Sequence, residues 1–506
     1  MIRWRFRECP LERDEGEYAY IGQLLLRGIA PYGVTGNHKF PGVYLAYAAI
    51  MAVFGETTSG IHVGMLVVNL ANTLLIFFLG RRLSGNAAGL AAAAAWVLMS
   101  VSPGVLGNAG HLTHLVVLAV LGGATLLWRW TETRQSWWLV SAGVCLGIAI
   151  GVRQTSLVFV VFAAVFVALL PDPRSGNIAG KVRQLALLLL ASAIPLLLLA
   201  LWLWLAGVFP QFWRWTFTQA AAYGSQVSPS TGLHQFLIET PVVIGWNCLI
   251  WGGAAIGLAV APAQRSRAAW LLIGFLMAGV IAIIPGFYFR GHYYVQVLPA
   301  IALLFGMAVQ RAWNFPNGWR YAAPVVSAVA LVLPLIGKQN YFFESSPTAL
   351  ARLLYGPNPF PESLEIARYL RANSDTGDAV AVLGSEPEIF FYSRRRSATS
   401  LIHVYPLMER HRYAHAMQEA MAREIEAEAP KFVVVVNVST SWLKQPDSDT
   451  FILTWARAFL KREYRLDGMV DIVPDQSQSR YVWGASASTY RPESDFFISV
   501  YRRIGR

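Results

Sequence analysis

The sequence predicts a bundle of hydrophobic helices in the first two thirds of the chain and a water-soluble α/β domain in the last third. Of the 506 residues, 55% are hydrophobic and only 14% are charged, with a mean hydropathy of +0.44, whereas soluble domains carry about 25% charged residues. Residues 1–338 hold 21 Lys and Arg against 9 Asp and Glu, while residues 339–506 hold 20 of each. The net charge of +12 therefore lies on the hydrophobic part, which is typical of basic loops beside membrane helices and not of a nucleic-acid-binding protein.

Ten apolar runs approach the length of about 20 residues that a spanning helix needs. They lie near 59–80, 86–103, 106–128, 136–152, 154–171, 184–208, 240–261, 268–286, 293–310 and 320–337. The fourth and fifth runs meet at residues 151–154, which predicts a tight hairpin. We therefore divide the chain into an external segment 1–58 with amphipathic helices around 16–28 and 41–54, a transmembrane bundle 59–338 and a soluble domain 339–506.

The charges of the loops predict the orientation of the bundle. Alternate connections carry most of the cations: Arg81 and Arg82, Arg129 and Arg134, Arg174, Lys181 and Arg183, Arg265 and Arg267, and Arg311 and Arg320. The positive-inside rule places these connections in the cytoplasm, so the segment 1–58 and the C-terminal domain both lie outside. Because a basic start is hard to translocate alone, we expect one more spanning helix upstream of Met1; the alternative is a short tail that crosses unaided.

The last 168 residues predict a small α/β domain. Helices are expected near 361–373 and 407–428, and strands at 379–383 and 432–438. Neither a GxGxxG motif nor a P-loop occurs there. His403, Tyr405 and the run 394–396 are noticeable, but a solvated basic turn is the simplest interpretation. The three cysteines, Cys9, Cys145 and Cys248, are widely separated and indicate no disulfide framework.

Carboxylates are scarce in the membrane half, and this draws attention to the few that occur there. Between residues 18 and 338 there are only Glu56, Glu132, Asp172 and Glu239, whereas Glu8, Glu12, Asp14, Glu15 and Glu17 crowd into ten residues. This acidic cluster has two interpretations. It is the start of a helix with Asp14 as its cap, or it supplies acid–base chemistry on the outer face, with Asp14 and Glu15 as the leading candidates.

The acidic cluster also carries a family resemblance. Residues 13–20 (RDEGEYAY) followed by 26–32 (LRGIAPY) resemble the first external loop of the GT-C glycosyltransferase superfamily. That superfamily includes protein O-mannosyltransferases of glycosyltransferase family 39 type, the lipid A aminoarabinose transferase and Rgt-type bacterial sugar transferases. Weaker similarities are 38–41 (HKFP), 151–155 (GVRQT) and 292–294 (HYY). Relatives often have Lys-Pro-Pro where this chain has Lys39-Phe40-Pro41.

The resemblance implies an inverting transfer of a sugar from a polyprenyl-phosphate donor to a hydroxyl of a lipid, glycan or protein, outside a bacterial inner membrane. By the same resemblance Asp14 is the base and Glu15 is either its support or an acceptor-binding residue. The growing negative charge of the leaving phosphate calls for cations, for which the candidates are Arg153, Lys39, Arg290 and His292. The candidate residues that line the substrate site are Tyr18, His111, His114 and Trp213.

Several of these residues have simpler interpretations. Arg153 is suited to reach the membrane interface, His111 and His114 to polar packing between helices, and Trp213 to anchoring at the interface. The membrane half has no Asp-x-Asp pair, so we expect neither a catalytic metal nor a cofactor. The first rival class is a polytopic transporter, but the polar residues gather at one face and no internal repeat is evident. The second is a non-enzymatic membrane protein with an external binding domain, which leaves the acidic cluster unexplained.

Overall fold

The computed structural model describes residues 2–171, 178–219, 227–261, 266–315, 319–473 and 479–505. Arg174 and Arg265, two of the loop cations discussed above, lie outside these ranges, as does Asp172. The first 337 residues are mainly helical. The helices are α1 (Arg13–Leu26), α2 (Gly42–Phe54), α3 (Thr58–Ser84), α4 (Asn86–Met99), α5 (Leu112–Thr133), α6 (Ser136–Val152), α7 (Leu157–Leu169), α8 (Ile178–Leu205), α9 (Pro229–Ile244), α10 (Cys248–Val260), α11 (Arg267–Ile283), α12 (Leu298–Trp313) and α13 (Trp319–Gly337).

The predicted helical membrane bundle is confirmed. Among the described residues, four helices are long and apolar enough to cross a membrane: α3, α5, α8 and the nearly continuous pair α9–α10. Shorter apolar helices, among them α4, α6, α7, α11 and α12, pack beside them. Helix α8 leaves Leu190, Leu198 and Trp204 more than 60% exposed. An exposed apolar surface of this kind is typical of a helix face that contacts lipid.

The structure shifts some helix boundaries from the predicted runs. The third run begins near 106, but α5 begins at Leu112, because Pro103 and Gly104 belong to a turn before the helix. The seventh run is interrupted at Gly245, whose φ of 39° breaks the helix between α9 and α10. Both irregular segments line the cavity described below.

The cation-rich connections contact one another at one end of the bundle. Arg82 forms an ion pair with Glu132, with 2.7 Å between Nη2 and Oε2. Arg267 donates a hydrogen bond to the Thr131 carbonyl, and Arg134 donates one to the Pro171 carbonyl. The predicted cytoplasmic connections therefore share one end.

The C-terminal part contains a six-stranded mixed sheet. Its strands are β1 (Ala379–Leu383), β2 (Arg396–Ser397), β3 (Phe432–Asn437), β4 (Tyr464–Asp471), β5 (Arg480–Trp483) and β6 (Phe497–Arg503), in the order β2-β1-β3-β6-β4-β5. Strands β2, β1 and β3 are parallel, and the β3–β6, β6–β4 and β4–β5 pairs are antiparallel. The surrounding helices are α14 (Pro347–Tyr355), α15 (Phe360–Ala372), α16 (Glu388–Ser393), α17 (Ala414–Glu428) and α18 (Phe451–Glu463).

Helix α1 packs directly against this α/β domain. Arg13 forms an ion pair with Glu386 at 3.0 Å, and Tyr20 OH accepts a hydrogen bond from the Ser397 N–H at 2.8 Å. Gly16 lies so close to Glu388 that a Cβ built on the glycine would be 2.6 Å from the Glu388 Cβ. The acidic helix and the α/β domain are therefore neighbours at the same end of the molecule.

Candidate active site

Helix α1 is capped by Glu12 and not by Asp14. The Glu12 side chain accepts a hydrogen bond from the Glu15 N–H, and the Glu15 side chain accepts one from the Glu12 N–H, which forms a capping box. The interpretation of Asp14 as the cap is therefore wrong. The Asp14 carboxylate takes part in neither of these two capping hydrogen bonds.

Glu15 faces the interior of the bundle. Its Oε1 accepts a hydrogen bond from the Gly110 N–H at 2.6 Å and lies 3.0 Å from His62 Nε2. The other ring nitrogen of His62 is 3.0 Å from the Arg7 carbonyl, so both nitrogens face acceptors and the ring is placed to carry a positive charge. Among the described residues Glu15 is absent from the cavity lining. Its contacts hold α1 against the segment before α5.

Asp14, Lys39 and Glu17 form a buried charge cluster. Lys39 Nζ lies 2.7 Å from Asp14 Oδ1 and 2.9 Å from Glu17 Oε2. Glu17 also accepts hydrogen bonds from the Tyr44 hydroxyl at 2.7 Å and from His403 Nε2 at 2.8 Å. His403 brings the C-terminal domain into this cluster.

The charges of this cluster set its ionisation. Burial alone acts to raise the pKa of Glu17, but the positive charge of Lys39 and the hydrogen bond from His403 outweigh it and lower the pKa to about 2. Burial likewise opposes ionisation of Asp14, yet Lys39, His292 and His111 hold the pKa of this carboxyl well below its usual range. Desolvation acts to lower the pKa of Lys39, and the two carboxylates more than reverse it. All three groups are therefore charged at neutral pH.

A cavity of about 1430 Å³ opens beside this cluster. Its wall includes the connections α4–α5, α6–α7 and α11–α12, which are the cation-poor ones. One part is polar, with Asp14 and Arg153; another is apolar, with Trp246 and Leu333. The cavity can therefore hold a molecule with a charged head and a hydrocarbon chain.

The predicted phosphate-binding residues all line this cavity: Arg153, Lys39, Arg290 and His292. The Arg153 guanidinium lies over the Tyr293 ring, 4.1 Å from its centroid. The Arg290 guanidinium lies 5.4 Å from the Tyr288 ring centroid. Planar guanidinium groups held in this way suit a phosphate.

The predicted substrate-lining residues separate into two groups. Tyr18 and His111 line the cavity, and the Tyr18 ring lies 4.5 Å from Lys39 Nζ. His114 is fully buried beside Trp96 inside the bundle and is absent from the described lining. Trp213 is 52% exposed and stacks on Phe217, outside the described lining. Residues two apart point to nearly opposite faces of a helical segment, so Trp215 lines the cavity instead.

Several residues of the site have no signal of their role in the sequence. Glu17 is one carboxylate among five, and His403 and Tyr405 resemble parts of a solvated turn, although both line the cavity. Within the adjacent run, Arg395 is only 4% exposed and donates hydrogen bonds to the Ser374 and Arg371 carbonyls, so the solvated interpretation is wrong for it. A His or Arg in a charge run carries no signal of its burial until the tertiary fold is known.

The fold and this site define a multi-helix membrane protein with a charged cavity between its bundle and an α/β domain, and several known proteins have a similar fold. The family model described as dolichyl-phosphate-mannose-protein mannosyltransferase matches residues 38–204. The structure of ArnT from Cupriavidus metallidurans in the apo state superimposes with a TM-score of 0.60 at 17% identity, over 97% of each chain. The same protein bound to undecaprenyl phosphate gives 0.60 at 14% identity, over 99% of this chain and 96% of that one.

A more distant match is the archaeal oligosaccharyltransferase AglB from Archaeoglobus fulgidus in complex with an inhibitory peptide and a dolichol-phosphate. Its TM-score is 0.52 at 12% identity, over 94% of this chain and 71% of that one. A search of curated protein sequences finds no significant match. The resemblance to GT-C glycosyltransferases is thus confirmed in the fold and in the family model.

Proposed function

We propose that the chain is a membrane glycosyltransferase that moves a sugar from a polyprenyl-phosphate donor to a hydroxyl acceptor, with Asp14 as the base and inversion at the sugar carbon. The observation that carries this proposal is the different environment of each carboxylate on α1. Glu12 caps the helix, and Glu15 accepts a hydrogen bond from the segment before α5. Glu17 is fully buried and contacts three partners, which are Lys39, Tyr44 and His403. Asp14, with its side chain 23% exposed, faces the cavity.

The cavity has the chemistry that such a donor needs. A lipid phosphate gains negative charge as the sugar leaves, and Arg153, Arg290 and Lys39 present cations to stabilise it. The apolar wall with Trp246 and Leu333 suits the hydrocarbon chain. ArnT, which shares the fold, is described as bound to undecaprenyl phosphate. The donor is therefore proposed to be of the same chemical class, with a lipid, glycan or protein as acceptor.

The proposed location of the reaction is the outer face of a bacterial inner membrane. Helix α1 and the C-terminal domain touch through Arg13 and Glu386, so they lie on one side of the membrane. The loop charges support an external location for that side, because the cation-rich connections meet at the other end. The division into an external segment 1–58, a bundle 59–338 and an external domain 339–506 follows from the same reasoning.

The test uses purified full-length protein in nanodiscs with a panel of polyprenyl-phosphate sugars, and measures both donor binding and release of the sugar. Asp14→Asn is expected to reduce sugar transfer or hydrolysis at least 100-fold while donor binding remains within about threefold, because only the base is removed. Arg153→Met is expected to weaken binding of the donor about tenfold or more, since a charge-assisted contact to phosphate is lost.

Glu132→Gln is the matched control, because Glu132 is a partly exposed carboxylate at the cation-rich end, paired with Arg82. It should leave both measurements unchanged. Full activity of Asp14→Asn would remove the proposed base. Failure of every donor to bind, together with transport of a solute in vesicles, would replace the enzyme with the rival class of transporter.

A further inference from the structure

We propose that Glu388 is a positioning residue for sugar transfer: as a neutral carboxylic acid it lets the α/β domain dock on α1, and its ionisation weakens that contact. Glu388 is the first residue of α16 and is fully buried. A Cβ built on Gly16 of α1 would lie 2.6 Å from the Glu388 Cβ and 2.7 Å from its backbone nitrogen. The two helices therefore meet at Glu388 with no space for a further atom.

The hydrogen bonding of Ser363 on α15 indicates that Glu388 carries a proton. Ser363 Oγ lies 2.9 Å from the Pro359 carbonyl oxygen and 2.8 Å from Glu388 Oε1. A serine hydroxyl has one proton to donate, and a carbonyl can only accept. Both contacts are therefore satisfied when Ser363 donates to Pro359 and a protonated Glu388 donates to Ser363. Glu388 Oε2 is buried without a hydrogen-bond partner among the described residues, which suits a neutral acid better than a carboxylate.

The charges around Glu388 act in the same direction. Glu386, two residues earlier, forms the ion pair with Arg13 of α1, with 3.0 Å between Oε1 and Nη2. One cation therefore serves two buried carboxyl groups. Burial and the negative charge of Glu386 raise the pKa of Glu388 to about 8, although Ser363 and Arg13 oppose them.

Two other ionisable groups lie on the helices that contact Glu388. Tyr392 is on α16 itself, and burial raises the pKa of its phenol well above neutral pH, so it adds no charge. Glu362 is on α15, where it forms an ion pair with Arg352. Neither group supplies a cation to Glu388.

Ionisation of Glu388 acts on the position of α1. The new negative charge repels Glu386, and the lost proton removes the hydrogen bond that Glu388 donates to Ser363. Since Gly16 leaves no room on the α1 side, relief requires the two helices to separate. Asp14 lies two residues before Gly16, so separation moves its carboxylate relative to the cavity. This last step rests on the proposed function, in which that carboxylate is the base.

The docked arrangement binds a proton that the separated one releases. The pKa of Glu388 is about 8 when the helices are docked and returns to its ordinary value of 4.5 when the side chain meets water. Docking is therefore strongest below about pH 4.5 and weakens by up to about tenfold per pH unit between 4.5 and 8. Above about pH 8 it changes no further.

The test compares the wild type with Glu388→Gln, whose amide stays neutral and can donate to Ser363 at every pH. Full-length protein in nanodiscs is assayed for the kcat of sugar release with an active donor. The ratio of the variant kcat to the wild-type kcat should rise about threefold or more between about pH 6 and pH 8.5. This ratio cancels the titration of the other groups of the site, such as His403. Glu365→Gln is the matched control, because Glu365 is an exposed carboxylate on α15 paired with Arg368, and its ratio should stay constant.

A second readout follows the proton and the helix without any donor. Infrared difference spectra between about pH 6 and pH 9 should show the loss of a buried carboxylic acid band in the wild type that is missing from Glu388→Gln. The hydrogen-exchange protection of residues 13–26 should fall over the same range in the wild type and stay constant in the variant. A merely structural role of Glu388 would change protection equally at every pH.

The outcomes separate this inference from the proposed function. Loss of the acid band and of α1 protection, without sugar transfer by any donor, supports the coupling and removes the enzyme. Sugar transfer with the same pH profile in the wild type and Glu388→Gln leaves the enzyme and overturns the coupling. An acid band unchanged in Glu388→Gln also overturns it. If that variant does not fold, Ser363→Ala takes its place: loss of the acceptor should shift the acid band, and an unshifted band contradicts donation from Glu388.

Discussion

The Lys39–Glu17 pair allows a quantitative test of the charge cluster. Glu17 is fully buried and Lys39 is 15% exposed, with 2.9 Å between Nζ and Oε2. At an effective dielectric constant of about 20, two unit charges at 2.9 Å attract by about 6 kcal/mol. The cost of desolvating the two ions offsets several kcal/mol of this Coulomb attraction. The coupling that remains should be about 2–3 kcal/mol, the upper part of the range measured for residues in contact.

The perturbations are Lys39→Met, Glu17→Gln and the double variant. Lys39→Met should destabilise by about 3–5 kcal/mol, because it leaves a buried carboxylate without its cation. The double variant should be less destabilised than the sum of the two single effects, by about 2–3 kcal/mol. Unfolding by denaturant in micelles, followed by the fluorescence of the 18 Trp residues, gives the three free energies.

Arg82→Met is the matched control, because Arg82 forms an ion pair with Glu132 in which both side chains are at least 30% exposed. Exposed pairs contribute about 0–1 kcal/mol, so this variant should change stability by no more than that. If the effects of Lys39→Met and Glu17→Gln add within about 0.5 kcal/mol, the two groups do not act as a pair and the arrangement described here is refuted.

Three further predictions follow from single contacts. Gly16→Ala should lower stability by about 1–3 kcal/mol, because the new Cβ meets the backbone and Cβ of Glu388; Gly252→Ala, where a Cβ meets open space, should not lower it. Burial and the charge of Glu386 raise the pKa of Glu388 to about 8. The wild-type Tm should therefore fall as the pH rises between about 4.5 and 8, and Glu388→Gln should show a shallower slope in the same buffers; equal slopes would contradict this. Trp215→Ala should weaken donor binding whereas Trp213→Ala should not, because only Trp215 is among the described residues lining the cavity.

The positions of the membrane helices could be predicted because their cause is local. Each of the ten apolar runs coincides with one or two observed helices, since a spanning segment must be apolar along its own length. The segments that line the cavity were harder to predict. Residues 106–111 are apolar enough to be counted as helix, yet the chain turns there, with Leu106 in the left-handed region at a φ of 51°.

The site itself was predictable only in part, because most of its geometry depends on contacts between distant segments. Asp14, Arg153, Arg290 and His292 stood out as rare polar residues in an apolar context, and the structure brings them to one cavity. The capping role of Glu12 has no signal in the sequence, because glutamate is not a preferred capping residue, whereas aspartate is. The role of His403 has none either, because its partner, Glu17, lies 386 residues away along the chain.

The contacts of α1 indicate that the α/β domain contributes to the site. Arg13 holds Glu386 and the Ser385 carbonyl, Glu17 holds His403, and Gly16 lets α16 approach the helix backbone. One face of the same helix is therefore fixed by the C-terminal domain, while Glu15 fixes another face to the bundle. Asp14 lies between these two attachments, so a change in either one moves the carboxylate relative to the cavity. We therefore expect the C-terminal domain to help position Asp14 relative to the cavity.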